Sequence, residues 1–258
     1  MKTALPTLLV GAACALVACR KPEDKPHRTE PWLAAPSASA GESSSAPRRF
    51  HFAAGSRVLF SVAGRKAKVS GSAPVSAGSL ELDARDLTHS SASVIVDLTA
   101  LTLDDQPVPA GVELGGASAT AQALQWLELG AEVAAEKRDE LKLARFELSG
   151  VEGWSGVPLD FGGRRRVTVH ATAVGTLLLH GFRAPVRAEV ALTPQPGDAG
   201  GKPKLAIRSA GALVLALAPH EISARGPGGV VDAVATARAS EWLGKNVRLE
   251  LELQAEPD

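Results

Sequence analysis

From His51 to the C-terminus, apolar and polar side chains alternate with a period of two, the pattern of strands that bury one face. Val58, Phe60 and Val62 alternate with Leu59 and Ser61, Leu80 and Leu82 with Glu81 and Asp83, and Val94, Val96 and Leu98 with Ile95 and Asp97. The longest run holds Val167, Val169, Ala171, Ala173, Gly175, Leu177 and Leu179 in one phase and Thr168, His170, Thr172, Thr176 and His180 in the other. Gly175 marks a bend or a close approach within that strand. Val186, Ala188, Val190 and Leu192 follow, then Leu205 and Ile207, then Leu213, Leu215 and Leu217. Val247, Leu249, Leu251 and Leu253 against Arg248, Glu250 and Glu252 make the cleanest alternation. Turns are expected at Ala77-Gly78, Gly162-Gly163, Pro194 to Gly201 and Gly226-Pro227-Gly228-Gly229. Only Ala119 to Lys142 reads as helical, with a second short turn over Ala239 to Leu243. About eight strands in hairpin order with one helical excursion predict an all-β, antiparallel sandwich or barrel. A barrel of that size has an interior just wide enough to fill with side chains or to hold one slender ligand.

The first 50 residues lack this periodicity. Residues 1–18 read as a signal peptide, with Lys2 before an apolar stretch from Leu8 to Ala18. That stretch is too short for a comfortable transmembrane helix. It ends in Leu16-Val17-Ala18-Cys19, which is similar to the lipobox of bacterial lipoproteins, where the Cys becomes the first mature residue and is lipidated. Cys19 is therefore the expected lipid-attachment site. Fatty chains such as palmitate anchor a protein stably when two or more are present, because each buried CH₂ contributes about 0.8 kcal/mol. Residues 19–50, rich in Pro, Ala, Ser and charge, read as the lipidated Cys and a flexible tether with Trp32 its one oddity. Residues 51–258 read as the folded domain. The expected location is the bacterial cell envelope, on its periplasmic or extracellular face.

Composition narrows the function. Lys+Arg and Asp+Glu are 28 each, a formal charge of +0, so the field that gathers nucleic acid is missing. Aromatics are 4% with no Tyr, which leaves little for stacking platforms. The two Cys both precede residue 20, so neither a disulfide framework nor a four-cysteine zinc site is available.

Catalytic motifs are sparse. Gly153-Trp154-Ser155-Gly156 has a serine without the spacing of a nucleophile elbow and reads as a turn. A hydrolase pairing Ser155 with His180 is a minor alternative. The 6 His are isolated, with no i, i+2 or i, i+4 pair, and His220-Glu221 lacks the second His of a zinc-protease helix. A metal site would have to be assembled from His51, His170 and His180 across strands, and none is expected. Asp104-Asp105 and Glu136 to Glu140 read as solvated charge, and Arg164-Arg165-Arg166 as a hairpin tip. The chain is expected not to be an enzyme.

Several segments, taken in order, resemble YceI-like domains. Gly175-Thr176-Leu177-Leu178-Leu179-His180-Gly181-Phe182-Arg183-Ala184-Pro185-Val186 is similar to that family's strand, His-Gly turn and Pro-Val restart. Ser56 to Val62 resembles its opening strand, Gly78 to Asp83 and Ser93 to Leu101 its next elements, and Ala144 to Leu148 the strand after the helical excursion. The resemblance covers roughly residues 51 to 254. It implies a lipocalin-like barrel that binds a polyisoprenoid chain, with no other cofactor; the partners are then that lipid and the membrane, no nucleic acid, with a homodimer allowed for.

On this reading the ligand-binding wall comprises Phe60, Val62, Val94, Val96, Phe146, Leu148, Val167, Val169, Leu177, Leu179 and Val186, with Leu98, Val190, Leu249 and Leu251 on the same apolar face. The rival is a cavity-free β-module acting as an envelope scaffold or protein-interaction surface. Small inward residues such as Ala171, Ala173, Gly175 and Ala188 favour space, unless bulky partners cover them.

Overall fold

The computed structural model describes residues 27–28, 47–64, 68–104, 119–162, 166–197, 201–225, 230–234, 236–237 and 244–258. Cys19, Trp32, Arg164-Arg165, Gly226 to Gly229 and the short turn expected at Ala239 to Leu243 lie outside these residues. The strands are β1 (His27–Arg28), β2 (Arg48–Phe52), β3 (Arg57–Ala63), β4 (Lys68–Leu82), β5 (Ser91–Asp97), β6 (Thr102–Leu103), β7 (Leu143–Glu152), β8 (Val169–Leu179), β9 (Phe182–Gln195), β10 (Lys204–Ser209), β11 (Leu213–Ala216) and β12 (Asn246–Pro257). Two helices, α1 (Ala119–Trp126) and α2 (Ala135–Leu141), precede β7.

The pairings run β9–β10–β12–β2–β4–β5–β7–β8 and return to β9, so the sheet closes on itself as an antiparallel barrel with eight positions. β3 continues the position of β2, because both lie between β12 and β4. Closure leaves the ring without a free edge, which is how a β-rich chain avoids edge-to-edge association. Alternation then sorts the faces. In β9 the residues Phe182, Ala184, Val186, Ala188, Val190 and Leu192 are buried while Pro185, Arg187 and Glu189 are exposed.

The barrel has two unlike ends. At the upper end lie the His180-Gly181 turn between β8 and β9, the helices, and the connection from β11 to β12. At the lower end the β4–β5, β7–β8 and β9–β10 connections meet the chain terminus. The lower end is a dry plug: Phe50, Leu82, Leu87, Leu205 and Ala255 are at most 2% exposed. Phe161 stacks on Phe50 with ring centroids 5.8 Å apart, and Arg48 lies over the outer ring at 5.1 Å. Buried Asp83 organises the turn that carries Leu87, accepting from the backbone N–H of Arg85 at 2.9 Å and of Asp86 at 3.2 Å.

Several elements differ from the sequence pattern. The single helix expected over Ala119 to Lys142 is two short helices, because Glu128 adopts φ 56° and ends the first. Ala77-Gly78 is no turn: β4 runs straight through it across a bulge between Val75 and Ala77. Among the described residues, β2 already begins at Arg48, ahead of the His51 boundary, and His27–Arg28, inside the segment read as tether, pair with β9. Val167 precedes β8 and is 46% exposed, so it is removed from the barrel wall. The strand begins two residues later, where the cross-strand partner Leu192 begins its pairing with Val169.

Gly175 makes the close approach its position suggested. A Cβ there would stand 2.2 Å from the Glu147 carbonyl oxygen and 2.6 Å from the Phe146 ring. Across the same wall, Gly150 of β7 has open space where a Cβ would go. Gly175→Ala should therefore cost about 1–3 kcal/mol through overpacking, a fall of several degrees in melting temperature, whereas Gly150→Ala should be neutral or slightly stabilising. Thermal unfolding of the two variants beside the parent checks this; equal melting temperatures would contradict the packing described.

Candidate functional site: the upper lumen and its polar rim

Burial of the inward face is uneven. Toward the upper end, inward-facing Val58, Phe60 and Val62 of β3, Phe146 and Leu148 of β7, Leu177 of β8 and Leu249 and Leu251 of β12 are only half-buried. Register brings them together: Phe60 lies opposite Leu249, Val58 opposite Leu251, and Phe146 opposite Leu177. Apolar side chains Ala123, Leu124 and Leu127 at α1, with Leu217 and Ile222 after β11, pack onto this half from above.

The residues expected to line a ligand thus divide in two. Phe60, Val62, Phe146, Leu148 and Leu177 keep accessible surface, whereas Val94, Val96, Val169, Leu179 and Val186 are closed into the core at 3–9% exposure. Three of the inward glycines do not leave empty space. The Phe60 ring would meet a Cβ at Gly71 at 2.7 Å, the Phe52 ring one at Gly78 at 2.7 Å, and the Phe146 ring one at Gly175 at 2.6 Å.

A buried polar cluster rims the upper end. Glu128, 6% exposed, accepts from Lys137 Nζ at 2.8 Å and pairs with Arg225 at 2.9 Å, both on Oε1, while its Oε2 lies 3.4 Å from His180 Nε2. His180 Nδ1 donates to the His220 carbonyl at 2.8 Å, and His220 Nδ1 lies 3.3 Å from the Leu179 carbonyl. Phe182 sets its ring edgewise to His220 at 6.3 Å. The cluster ties the α1–α2 connection, α2, the β8–β9 turn and the chain after β11 to one another. Among the described residues the non-glycine residues with positive φ are Glu128, His180 and Glu221, all of them here. Backbone strain of this kind, about 1–3 kcal/mol each, persists only where the surroundings over-determine it.

Burial pushes the His180 imidazole below its ordinary range; the His220 carbonyl and Glu128 oppose the shift, and Arg225 and Lys137 add to it. His220 is lowered by burial as well, and further by His180. Both rings are accordingly neutral at pH 7. Sequence inspection had weighed His180 as a metal or catalytic group and as part of the His-Gly turn of the resemblance, had set His220 aside for want of a second His, and had found no motif at Glu128 or Arg225.

The arrangement does not assemble the alternatives raised by the sequence. Ser155 lies in the connection from β7 to β8 at the lower end and His180 at the upper end, separated by the length of β8, about 33 Å at 3.3 Å per residue. His170 and His51 are exposed at the lower end, where His51 Nδ1 lies 3.1 Å from Asp258 Oδ1, so neither meets His180. Among the described residues no three His, Cys, Asp or Glu side chains converge as metal ligands would. A depression of about 230 Å³, lined by Ala191, Thr193, Gln195, Ala206 and Arg208, lies on the outer face of β9 and β10, away from the lumen.

The chain is a mostly β, antiparallel barrel closed into a ring of eight positions, with a sealed lower plug and, above it, a partly accessible apolar wall. No protein-family model matches it, and no curated protein is similar in sequence. Among solved structures it is similar to a polyisoprenoid-binding domain from Saccharophagus degradans implicated in plant cell wall breakdown. The identity is 15% over 82% of this chain and 99% of that one, with a TM-score of 0.45. It is also similar to BcnA of Burkholderia cenocepacia, at 13% identity over 78% of this chain and 96% of that one, with a TM-score of 0.45.

The two lowered histidines set an acid limit on stability. A group whose folded pKa lies below its unfolded value binds more protons when unfolded, so its contribution is complete above about pH 6.5 and is lost as pH falls. Unfolding free energy should therefore drop between pH 6.5 and 5, by at most about 1.4 kcal/mol per pH unit for each histidine. Denaturant titrations at several pH values measure it. His180→Asn, which tolerates the left-handed turn, should flatten the slope, and an unchanged slope would remove His180 from this role.

Proposed function

We propose that the protein is a lipid-anchored, extracytoplasmic lipid carrier that holds a long apolar chain of the polyisoprenoid kind in the upper half of its barrel and performs no catalysis. The observation that supports this reading is the division of the inward face. Below, Phe50, Leu82, Leu205, Leu253 and Ala255 form a plug with no room for a ligand; above it, Phe60, Val62, Phe146, Leu177, Leu249 and Leu251 are apolar, inward and half-buried, beside Val94, Val96 and Leu179, which are buried in the same part of the wall. Apolar wall left accessible inside a barrel loses its favourable burial unless something covers it. An isoprene unit seated there would contribute on the order of 3 kcal/mol before ordering costs, so a few units give useful affinity.

A cavity-free envelope module is the second reading, favoured by the phenylalanine rings over Gly71, Gly78 and Gly175. Leu177→Trp separates the two. In a carrier it fills the upper lumen and abolishes lipid retention at a cost of at most about 3 kcal/mol, while Leu205→Trp, in the plug, unfolds the protein. Native mass spectrometry of bound lipid alongside thermal unfolding reads both. A parent protein without extractable lipid, together with an unfolded Leu177→Trp variant, would establish the cavity-free reading instead.

Anchoring rests on the sequence around Cys19. Cys19→Ser removes the one thiol at the end of the apolar leader and should abolish fatty-acid incorporation and release the protein from membranes. Metabolic labelling with a palmitate analogue checks it, and persistent labelling of the serine variant would refute the assignment.

A further inference from the structure

We infer that the upper end of the barrel, through Val230, Val231 and Val234, rests against the bilayer that holds the Cys19 lipid. This rests on the proposed anchoring at Cys19 and adds to it which face of the barrel meets the membrane. The three valines are 70%, 52% and 62% exposed, apolar side chains crowded into one short segment. That segment is held at the upper end by the Val231 bridge to Arg225, by the Asp232 N–H donated to the Ala224 carbonyl at 3.0 Å, and by the Thr236 hydroxyl donated to the same carbonyl at 3.2 Å. Arg225 in turn pairs with Glu128 beside His180. The valines therefore lie exposed on a segment fastened to the chain that carries Arg225 of the polar rim.

The path of the chain names the occupant. β1 pairs with the first residues of β9, His27 opposite Arg183 and Arg28 opposite Phe182, immediately after the β8–β9 turn. Between Cys19 and His27 the roughly eight residues can span at most about 28 Å. Were the chain first held at β2, some thirty residues would intervene and allow about 100 Å. Pairing of β1 with β9 thus shortens the leash several-fold and attaches it at the upper rim, so the bilayer lies within reach of the valines. A lumen presented in this way would take up an apolar chain from the membrane without carrying it through water.

The test uses the full mature chain, lipidated at Cys19, in vesicles of phosphatidylethanolamine and phosphatidylglycerol. Cys14 is lost with the leader and Cys19 is a thioether, so Val231→Cys or Lys202→Cys supplies one labelling site at the upper or lower end. Nitroxide-bearing lipid should quench a fluorophore at position 231 at least twofold more than one at 202. Adding Val230→Asp and Val234→Asp to the Val231→Cys chain should at least halve that quenching while the protein still floats with the vesicles. Replacing His27 and Arg28 by proline, which removes their ladder donors, should bring the two positions toward equality. Equal quenching in the parent chain, or stronger quenching at 202, overturns the orientation alone. A parent chain that fails to float overturns the anchoring, and the orientation with it.

Discussion

The antiparallel ladder between β8 and β9 is the interaction on which the rest depends. It pairs residues from Val169 with Leu192 to Leu179 with Phe182, and it is the seam that turns an open sheet into a ring. Its two-residue turn, His180-Gly181, has φ of 53° and 79°, the left-handed pair that matches the twist of a tight hairpin. A one-residue slip in this register would turn Val169, Ala171, Leu179, Val186 and Val190 outward together. The same turn delivers His180 into the polar rim, so closure of the barrel and assembly of the rim are one event.

Stability and accessibility are unevenly shared over the interior, with Val94, Val96 and Leu179 buried beside the half-buried Phe146 and Leu177. The lower half has the density of a solid core, with stacked phenylalanines, a capped turn and leucines sealed from solvent. The upper half is walled by apolar side chains that packing does not finish. Phenylalanine rings laid over Gly71, Gly78 and Gly175 strengthen the wall by filling the sites where neighbouring backbones come closest. Such filling is local. It leaves the half-buried stretch from Val58 to Val62 and from Leu249 to Leu251 as the part of the interior able to exchange protein contacts for those of a ligand.

The polar rim is costly, which makes its position informative. Ion pairs withdrawn from water seldom exceed their desolvation cost, and three left-handed non-glycine residues add strain. What the cluster supplies is a common fastening for segments that are short and have few apolar contacts of their own. Glu128 joins Lys137 and Arg225 while His180 joins His220 through a backbone carbonyl. The upper end is thereby built from directional contacts, where the lower end relies on dispersion and burial.

Local pattern was sufficient for much of this architecture. The His180-Gly181 hairpin was expected from the YceI-like resemblance; period-two runs in β8, β9 and β12 announced half-buried strands, and Gly175 announced a close approach. Each depends on neighbours in the chain or on one residue's own shape. Other features arise between segments remote in sequence. β4 contains Gly71 and Gly78 and alternates poorly, yet runs for 15 residues because β2, β3, β5 and β6 all pair with it. Accessibility of Phe60 or Leu177 and burial of Val94 or Val186 were decided by tertiary packing: Val94 stands directly opposite Phe146, at the same height, yet only Val94 is closed off, a distinction that alternation does not encode. Glu128 and Arg225 belong to no motif in the sequence; only the folded chain brings them to His180, because an ion pair is specified by distance in space and leaves no periodic trace along the chain.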